Sequence, residues 1–280
     1  MCATCGCSGG GVRVTDPAHR HDHHHPHSHE HGHGHSHDHS HDHDHDHSHD
    51  HDHGHPHEHS HDERPRGHTV LLEQQILAKN DNLAAENRRW LADRRIRAIN
   101  LMSSPGAGKT TLLERTLADL AGTLPVAVLE GDQETLLDAD RITAAGARVV
   151  QINTGAGCHL DAEMVRHGLD TLDPQPGSLL FVENVGNLVC PALFDLGEAA
   201  KVVIASTTEG EDKPVKYPHM FASADLVLLN KIDLLPYLVF DVTRWQTAVG
   251  RINTGAQVLQ ISATTGVGLD DWYRWLRALG

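Results

Sequence analysis

Ser103-Ser104-Pro105-Gly106-Ala107-Gly108-Lys109-Thr110-Thr111 lies between an apolar run at residues 96–102 and a helical pattern at residues 110–120. Strand, glycine-rich loop and helix in that order make a phosphate-binding loop. Gly106 and Gly108 let the backbone N–H groups around Ala107 turn inward on phosphate oxygens. The helix behind them adds the positive end of its dipole. Lys109 is expected to reach the β- and γ-phosphates, and the Thr110 hydroxyl, with Thr111 beside it, to hold Mg²⁺. Ser103 stands where the consensus has glycine, while Gly-x-Gly-Lys-Thr is intact.

Outward from the loop the same strand–loop–helix pattern repeats. Strands are expected at residues 126–129, 148–152, 178–182, 201–205, 226–229 and 258–261, and helices at 134–145, 159–172 and 269–279. This alternation predicts an α/β fold, a mostly parallel sheet with helices on both faces. Its ligand should sit beyond the carboxyl ends of the strands. Upstream, residues 68–96 read as a helical lead-in to a domain at 97–280, with Ile76, Leu83 and Trp90 seven residues apart. Asn80-Asp81-Asn82 is a weak point where that helix could break. Arg88, Arg89, Arg94, Arg95 and Arg97 read as a solvated helix face. Ile-Asn-Thr-Gly-Ala, at 152–156 and again at 252–256, reads as one strand-to-turn device used twice.

Asn230-Lys231-Ile232-Asp233 directly follows an apolar strand. A carboxylate there can accept two parallel hydrogen bonds from guanine N1–H and N2–H₂. Adenine offers neither donor and would leave the acid unpaired, so the motif selects GTP over ATP. Asn230 can bond the base edge or brace the loop, and Lys231 can lie along the purine face. Ser262-Ala263, after the last strand, suits a backbone contact to guanine O6. Two acidic segments follow other strands, Glu130-Gly131-Asp132 and Glu183-Asn184-Val185-Gly186. Asp132 is the candidate for Mg²⁺ or water positioning. Glu183 and Gly186 suit a loop that senses the γ-phosphate. Lys109, Asp132 and Glu183 are thus the candidate catalytic groups. Neither a catalytic Gln nor an Arg finger can be picked out, so hydrolysis is expected to be slow.

Composition divides the chain. Of 27 histidines, 24 lie between His19 and His68, and residues 1–68 carry a formal charge of −8 with almost no Leu, Ile or Phe. Such a segment cannot bury enough apolar surface to offset its conformational entropy, so a disordered tail is expected without metal. The acidic balance and 4% aromatic content disfavour nucleic acid as a partner. The longest apolar runs are far too short to span a bilayer, and the start of the chain lacks a signal-peptide pattern, so a cytoplasmic protein away from membranes is expected.

Cys2, Cys5 and Cys7 form a cluster within residues 1–18 that no regular element can hold on one face, so a metal must organise it. Thiolates with one nitrogen suit square-planar Ni²⁺ or tetrahedral Zn²⁺. Residues 19–67 alternate His with Asp and Ser, a high-capacity, low-selectivity binder of Ni²⁺ and its neighbours. Gly155-Ala156-Gly157-Cys158-His159 opens an expected helix, whose N-terminus would make the thiol acidic. Cys190 lies in the loop that should respond to the γ-phosphate. Cys158, His159 and Cys190 either share one metal or are a buried cysteine pair beside a helix-capping histidine.

In order along the chain come Cys-x-x-Cys-Gly-Cys, the His tract, Ser-Ser-Pro-Gly-x-Gly-Lys-Thr-Thr, Gly-Cys-His, Glu-Asn-x-Gly-Asn-Leu-x-Cys-Pro and Thr-Glu-Gly-Glu-Asp-Lys-Pro at 208–214. Together they resemble the hydrogenase nickel-incorporation GTPases, the HypB family, of the SIMIBI class of P-loop NTPases. The resemblance implies GTP-promoted homodimerisation and delivery of Ni²⁺ to the large subunit of [NiFe]-hydrogenase, alongside a zinc-containing HypA-type partner. It implies tight nickel binding by Cys2, Cys5 and Cys7 with the terminal amine. It implies a weaker Ni²⁺ or Zn²⁺ site at the dimer interface, on Cys158, His159 and Cys190. Ser104 stands where some relatives of the class carry an intersubunit Lys. Urease-type accessory GTPases share the P-loop and the guanine motif, but the Cys cluster, Gly-Cys-His and Cys-Pro elements disfavour them. Nickel storage on the tail is a further role.

Overall fold

The computed structural model describes residues 13–16, 66–132, 137–155 and 157–279. The metal-binding readings for Cys2, Cys5, Cys7 and the His tract lie outside these residues. Eight strands form one sheet: β1 (Arg13–Thr15), β2 (Arg97–Ser103), β3 (Val126–Asp132), β4 (Arg148–Asn153), β5 (Leu179–Glu183), β6 (Ala200–Ser206), β7 (Leu226–Asn230) and β8 (Gln257–Gln260). Their order is β1-β4-β3-β5-β2-β6-β7-β8, and every pair is parallel except β1 against β4.

The helices are α1 (Arg66–Asp93), α2 (Lys109–Leu120), α3 (Leu137–Ala144), α4 (Ala162–Leu172), α5 (Lys213–Lys216), α6 (Pro218–Ala222), α7 (Val242–Ile252) and α8 (Leu269–Ala278). The strands are apolar on both faces, as a covered parallel sheet requires. Ile99 and Leu101 point with Phe181 and Ile204 into one layer with Leu113 of α2, Ile142 of α3 and Trp272 of α8. Ala98, Leu180 and Val182 point the other way, onto Leu91 of α1 and Leu169 of α4. Met102, Val203 and Val227 extend that second face under Phe221 of α6 and Trp245 of α7. The expected α/β architecture is therefore the observed one. Sequence patterning missed β1 and the helices α5, α6 and α7. Among the described residues no helix is long and apolar enough to cross a membrane.

Three expectations are corrected. The helix α1 runs unbroken through Asn80-Asp81-Asn82, and its buried face is Asn80, Ala84, Asn87 and Leu91 rather than the Ile76 heptad; Ile76 is 51% exposed. The asparagines belong inside because they satisfy backbone groups that would otherwise be orphaned. Asn80 Oδ1 accepts from Ala162 N, the first N–H of α4, while its Nδ2 donates to Asp195 O. Asn87 Nδ2 donates to Ala162 O and Leu196 O. Gly197, at φ +91°, passes so close to α1 that a Cβ would meet Ala84 O at 2.6 Å.

The arginine group is not simply solvated. Arg88 forks onto both carboxylate oxygens of Asp195 at 2.7 Å, and the Arg94 guanidinium lies 3.9 Å from the centre of the Trp90 ring. The repeated pentapeptide also has two contexts. Its first copy ends β4, but its second ends helix α7. What the copies share is the Asn side chain: Asn153 Oδ1 accepts from Gly155 N and Asn253 Oδ1 from Gly255 N.

Replacing Asn87 with Ala should cost about 1–3 kcal/mol, because buried carbonyls lose their donor. Ile76→Ala should change stability by no more than about 0.5 kcal/mol, as an exposed site. Urea unfolding of the two variants measures the contrast.

Candidate functional site

The strand β2 ends at Ser103, and α2 begins at Lys109. Ser103 serves in place of glycine because it is still in the strand, buried, with its hydroxyl on Ser104 O at 2.8 Å. The positions that need glycine have it: Gly106 and Gly108 stand at φ +76° and +94°. A Cβ on Gly108 would also meet Asn230 Nδ2 at 2.6 Å.

Asn230, the last residue of β7, joins two loops. Its Nδ2 donates to Ala107 O at 2.9 Å, and its Oδ1 accepts from Ala263 N at 3.0 Å. Of the two roles open to it in sequence, it takes that of a brace. Lys231 adopts a left-handed backbone at φ 61°, held by Thr207 Oγ1 on its carbonyl, and sends Nζ to Gly106 O at 2.6 Å. Ser262 Oγ donates to Asp233 Oδ1 at 2.6 Å and accepts from Thr265 N, which orients the carboxylate. Asn230 and Lys231 at the end of β7 thus contact the phosphate loop, and the loop after β8 joins them through Ala263.

Beyond the carboxyl ends of the strands lies a cavity of about 510 Å³, bounded by the phosphate loop together with Glu130, Asp132, Arg141 and Glu183. Glu183 ends β5 and is 2% exposed. Its Oε1 accepts from Thr110 Oγ1 at 2.7 Å and pairs with Lys109 Nζ at 3.2 Å. Its other oxygen is buried without a hydrogen-bond partner. Glu130, also 2% exposed, is its register partner on β3. The Ser104 hydroxyl is likewise buried and without a hydrogen-bond partner. Buried polar atoms of this kind want a ligand. Thr110, Asp132 and the carboxylates are the hard oxygen donors that Mg²⁺ prefers, and the left-handed glycines leave the loop's backbone close to the space. The residues therefore fit both a phosphate chain and its Mg²⁺.

Cys158, His159 and Cys190 come together at the edge of this region. Their ligand atoms all lie within 4.8 Å of one another, with Cys158 Sγ 2.9 Å from Cys190 Sγ and 3.6 Å from His159 Nδ1. The fold thus brings all three side chains together, as a shared site needs. The His159 ring stacks on Phe194 with centroids 4.0 Å apart. Burial holds its pKa below the usual value, against the opposing charge of Asp161, and so favours the neutral imidazole that binds metal. Two thiols and one imidazole suit Ni²⁺ or Zn²⁺.

One expectation here is corrected. Cys158 and His159 do not open a helix. The helix α4 starts at Ala162, capped by Asp161, whose Oδ1 accepts from Met164 N at 2.8 Å. The preceding residues instead turn tightly, with Gly157 N and Gly157 O both bonded to Thr154. The helix N-terminus expected at Cys158 therefore lies further along the chain, at Ala162.

Sequence reading missed the residues that join the two sites. Asn184 is fully buried; its Oδ1 accepts from Leu160 N in the Cys158–His159 loop and from Val185 N. Its Nδ2 donates to Asn100 Oδ1 of β2, and Asn100 donates on to Glu198. Asn187 Nδ2 donates to Cys158 O at 3.3 Å. The signal available in the sequence was Asn100, a polar residue inside a strand that is otherwise apolar.

Residues 97–260 match the CobW/HypB/UreG nucleotide-binding domain family. The chain is 58% identical over 207 residues to the hydrogenase maturation factor HypB of Rhizobium leguminosarum bv. viciae, covering 74% of this chain and 69% of that one. It is 54% identical over 205 residues to HypB of Escherichia coli K12, covering 73% and 71%. Among solved structures, it is similar to HypB of Archaeoglobus fulgidus, with a TM-score of 0.68 at 38% identity over 73% of this chain and all of that one. The structure of HypB from Helicobacter pylori in complex with nickel gives a TM-score of 0.67 at 38% identity over 71% of this chain and 94% of that one. The phosphate loop, the Asn230–Asp233 loop and the thiol cluster thus sit on a scaffold shared with these proteins, and the chain belongs to the CobW/HypB/UreG family of P-loop nucleotide-binding proteins, on its HypB branch.

Proposed function

We propose that this protein is a GTP-hydrolysing nickel carrier that serves hydrogenase maturation, and that nucleotide state sets its grip on the metal. One observation carries the reading. A single short segment, residues 183–190, begins with the carboxylate that touches Lys109 and Thr110 and ends with a thiol of the Cys158–His159–Cys190 cluster. Asn184 and Asn187 fasten that same segment to the loop bearing the other two ligands.

In the proposed cycle, Lys109 and Thr110 leave Glu183 for the phosphates when GTP enters. Asp132 and Thr110 would hold Mg²⁺, which neutralises charge on the β- and γ-phosphate oxygens. The carboxylate of Glu183, relieved of its partners, resettles and takes residues 184–187 with it. Cys158 and Cys190 then change spacing, and nickel affinity with it. Hydrolysis returns Lys109 to Glu183 and makes delivery directional. The coupling is reciprocal, so nickel shifts nucleotide affinity by the same factor.

The remaining parts of the proposal rest on the family. GTP promotes a homodimer that buries the thiol cluster at its interface, where Zn²⁺ can replace Ni²⁺. Cys2, Cys5 and Cys7 hold nickel tightly, and the His tract at residues 19–67 stores it. A HypA-type zinc protein and the hydrogenase large subunit are the partners, in the cytoplasm.

Residues 66–280 alone should bind Ni²⁺ with affinities that differ roughly 5–150-fold between GDP and a non-hydrolysable GTP analogue, measured by titration calorimetry. Cys158→Ala with Cys190→Ala should remove the difference; its survival in that variant overturns the gating. Asp233→Asn should weaken GTP binding at least about a hundredfold, since the amide cannot accept both guanine donors, and should strengthen xanthosine triphosphate binding. Deleting residues 19–67 should lower hydrogenase activity in nickel-poor medium only; loss that persists in nickel excess rules out storage as the tract's role.

A further inference from the structure

Besides the groups that sequence singled out, the phosphate cavity is bounded by an arginine. Arg141 lies on α3 and lines the cavity together with Lys109, Thr110 and Asp132. Its Nε and Nη2 donate to the two carboxylate oxygens of Glu114 on α2, at 2.8 and 2.7 Å.

Acids and cations line this cavity in equal number among the described residues. Among its described lining residues the acids are Glu130, Asp132 and Glu183, and the cations are Lys109, Lys231 and Arg141. Lys231 is already engaged, with its ammonium on the Gly106 carbonyl of the phosphate loop. Lys109 and Arg141 are then the two cations on the phosphate side. A phosphoryl-transfer transition state spreads negative charge over the γ-phosphate and its leaving oxygen, and a second cation there speeds the reaction.

The Arg141–Glu114 fork is suited to an exchange. Phosphate presents two oxygens at the same spacing as a carboxylate, so a guanidinium can pass from one to the other without changing its geometry. The pair is 45% and 28% exposed at the two side chains, and half-exposed ion pairs are weak holds. Glu114 sits on the same helix as Lys109, which starts the helix that receives the phosphates. The carboxylate thus parks the guanidinium at the mouth of the cavity that GTP enters.

We infer that Arg141 is an arginine supplied within the chain to the γ-phosphate during hydrolysis, with Glu114 as its resting partner. This rests on the GTPase reading above. It names an arginine for a task to which the sequence assigned none. The signal was unreadable in sequence because Arg141 reads only as a polar position on an amphipathic helix.

The test compares Arg141→Ala, Arg141→Lys and Glu114→Gln in the full chain by single-turnover GTP hydrolysis and by retention of GDP with aluminium fluoride, a mimic of the transferring phosphoryl group. Arg141→Ala is expected to slow hydrolysis about a hundredfold, with GDP affinity unchanged and the aluminium fluoride complex lost. Arg141→Lys should recover only part of the rate. Glu114→Gln should hydrolyse at least as fast as the parent. If Arg141 merely braces α2 against α3, Arg141→Ala and Glu114→Gln break the same ion pair and behave alike; that result overturns the inference. Unfolding midpoints of both variants identify a loss due to misfolding, and Arg141→Lys then decides: parent-like hydrolysis and aluminium fluoride retention in a folded Arg141→Lys chain also overturns it. A parent chain that neither hydrolyses GTP nor retains the fluoride complex overturns the GTPase reading itself.

Discussion

One carboxylate oxygen, Glu183 Oε1, holds the functional half of this molecule in its resting arrangement. It takes the Thr110 hydroxyl and the Lys109 ammonium at once, in a site almost closed to water. In that low-dielectric setting a lone carboxylate is costly, and a lone ammonium equally so. Each therefore satisfies the other. The constraint fixes where β5 must end relative to α2, and with it the start of the loop that carries Asn184, Asn187 and Cys190.

The sheet order brings that loop between the phosphate cavity and the thiols. The strand β5 lies between β2, which feeds the phosphate loop, and β3, which is followed outward by β4 and its Cys158–His159 loop. A segment leaving β5 therefore passes between the two sites. Asn184 is the crosspiece, bonded on one side to Leu160 N and on the other to Asn100 inside β2. Such a fully paired buried network is stiff, because leaving any member unpaired costs a desolvated polar group. Stiffness is what a mechanical link between loops needs.

The same economy appears on the second face. The helix α1 brings two asparagines, not two leucines, to the sheet side, and they bind the start of α4 and the turn at residues 195–197. The helix is thereby locked in rotation as well as buried. The edge strand β1 adds to this end of the sheet, where Arg13 pairs with Asn153, two residues before Gly155.

The sequence by itself determined the elements whose physics is local. A phosphate loop is legible because only glycine takes the left-handed backbone at Gly106 and Gly108, and because strand and helix periodicities differ. The loop of Asp233 was readable because it directly follows an apolar strand, and Cys158, His159 and Cys190 stood out because thiols are scarce in the chain. The tertiary structure alone decided which of these meet. Cys190 reaches Cys158 only because the order β4-β3-β5 folds residues 32 apart in sequence back together. Arg141 lines the cavity beyond the phosphate loop only because α3 returns beside α2. The inward turn of Asn80 and Asn87, against the hydrophobic pattern, follows from backbone groups of distant loops that need partners once water is gone. Periodicity records a residue's appetite for water, but a buried carbonyl's demand for a donor exists only after the chain has closed around it.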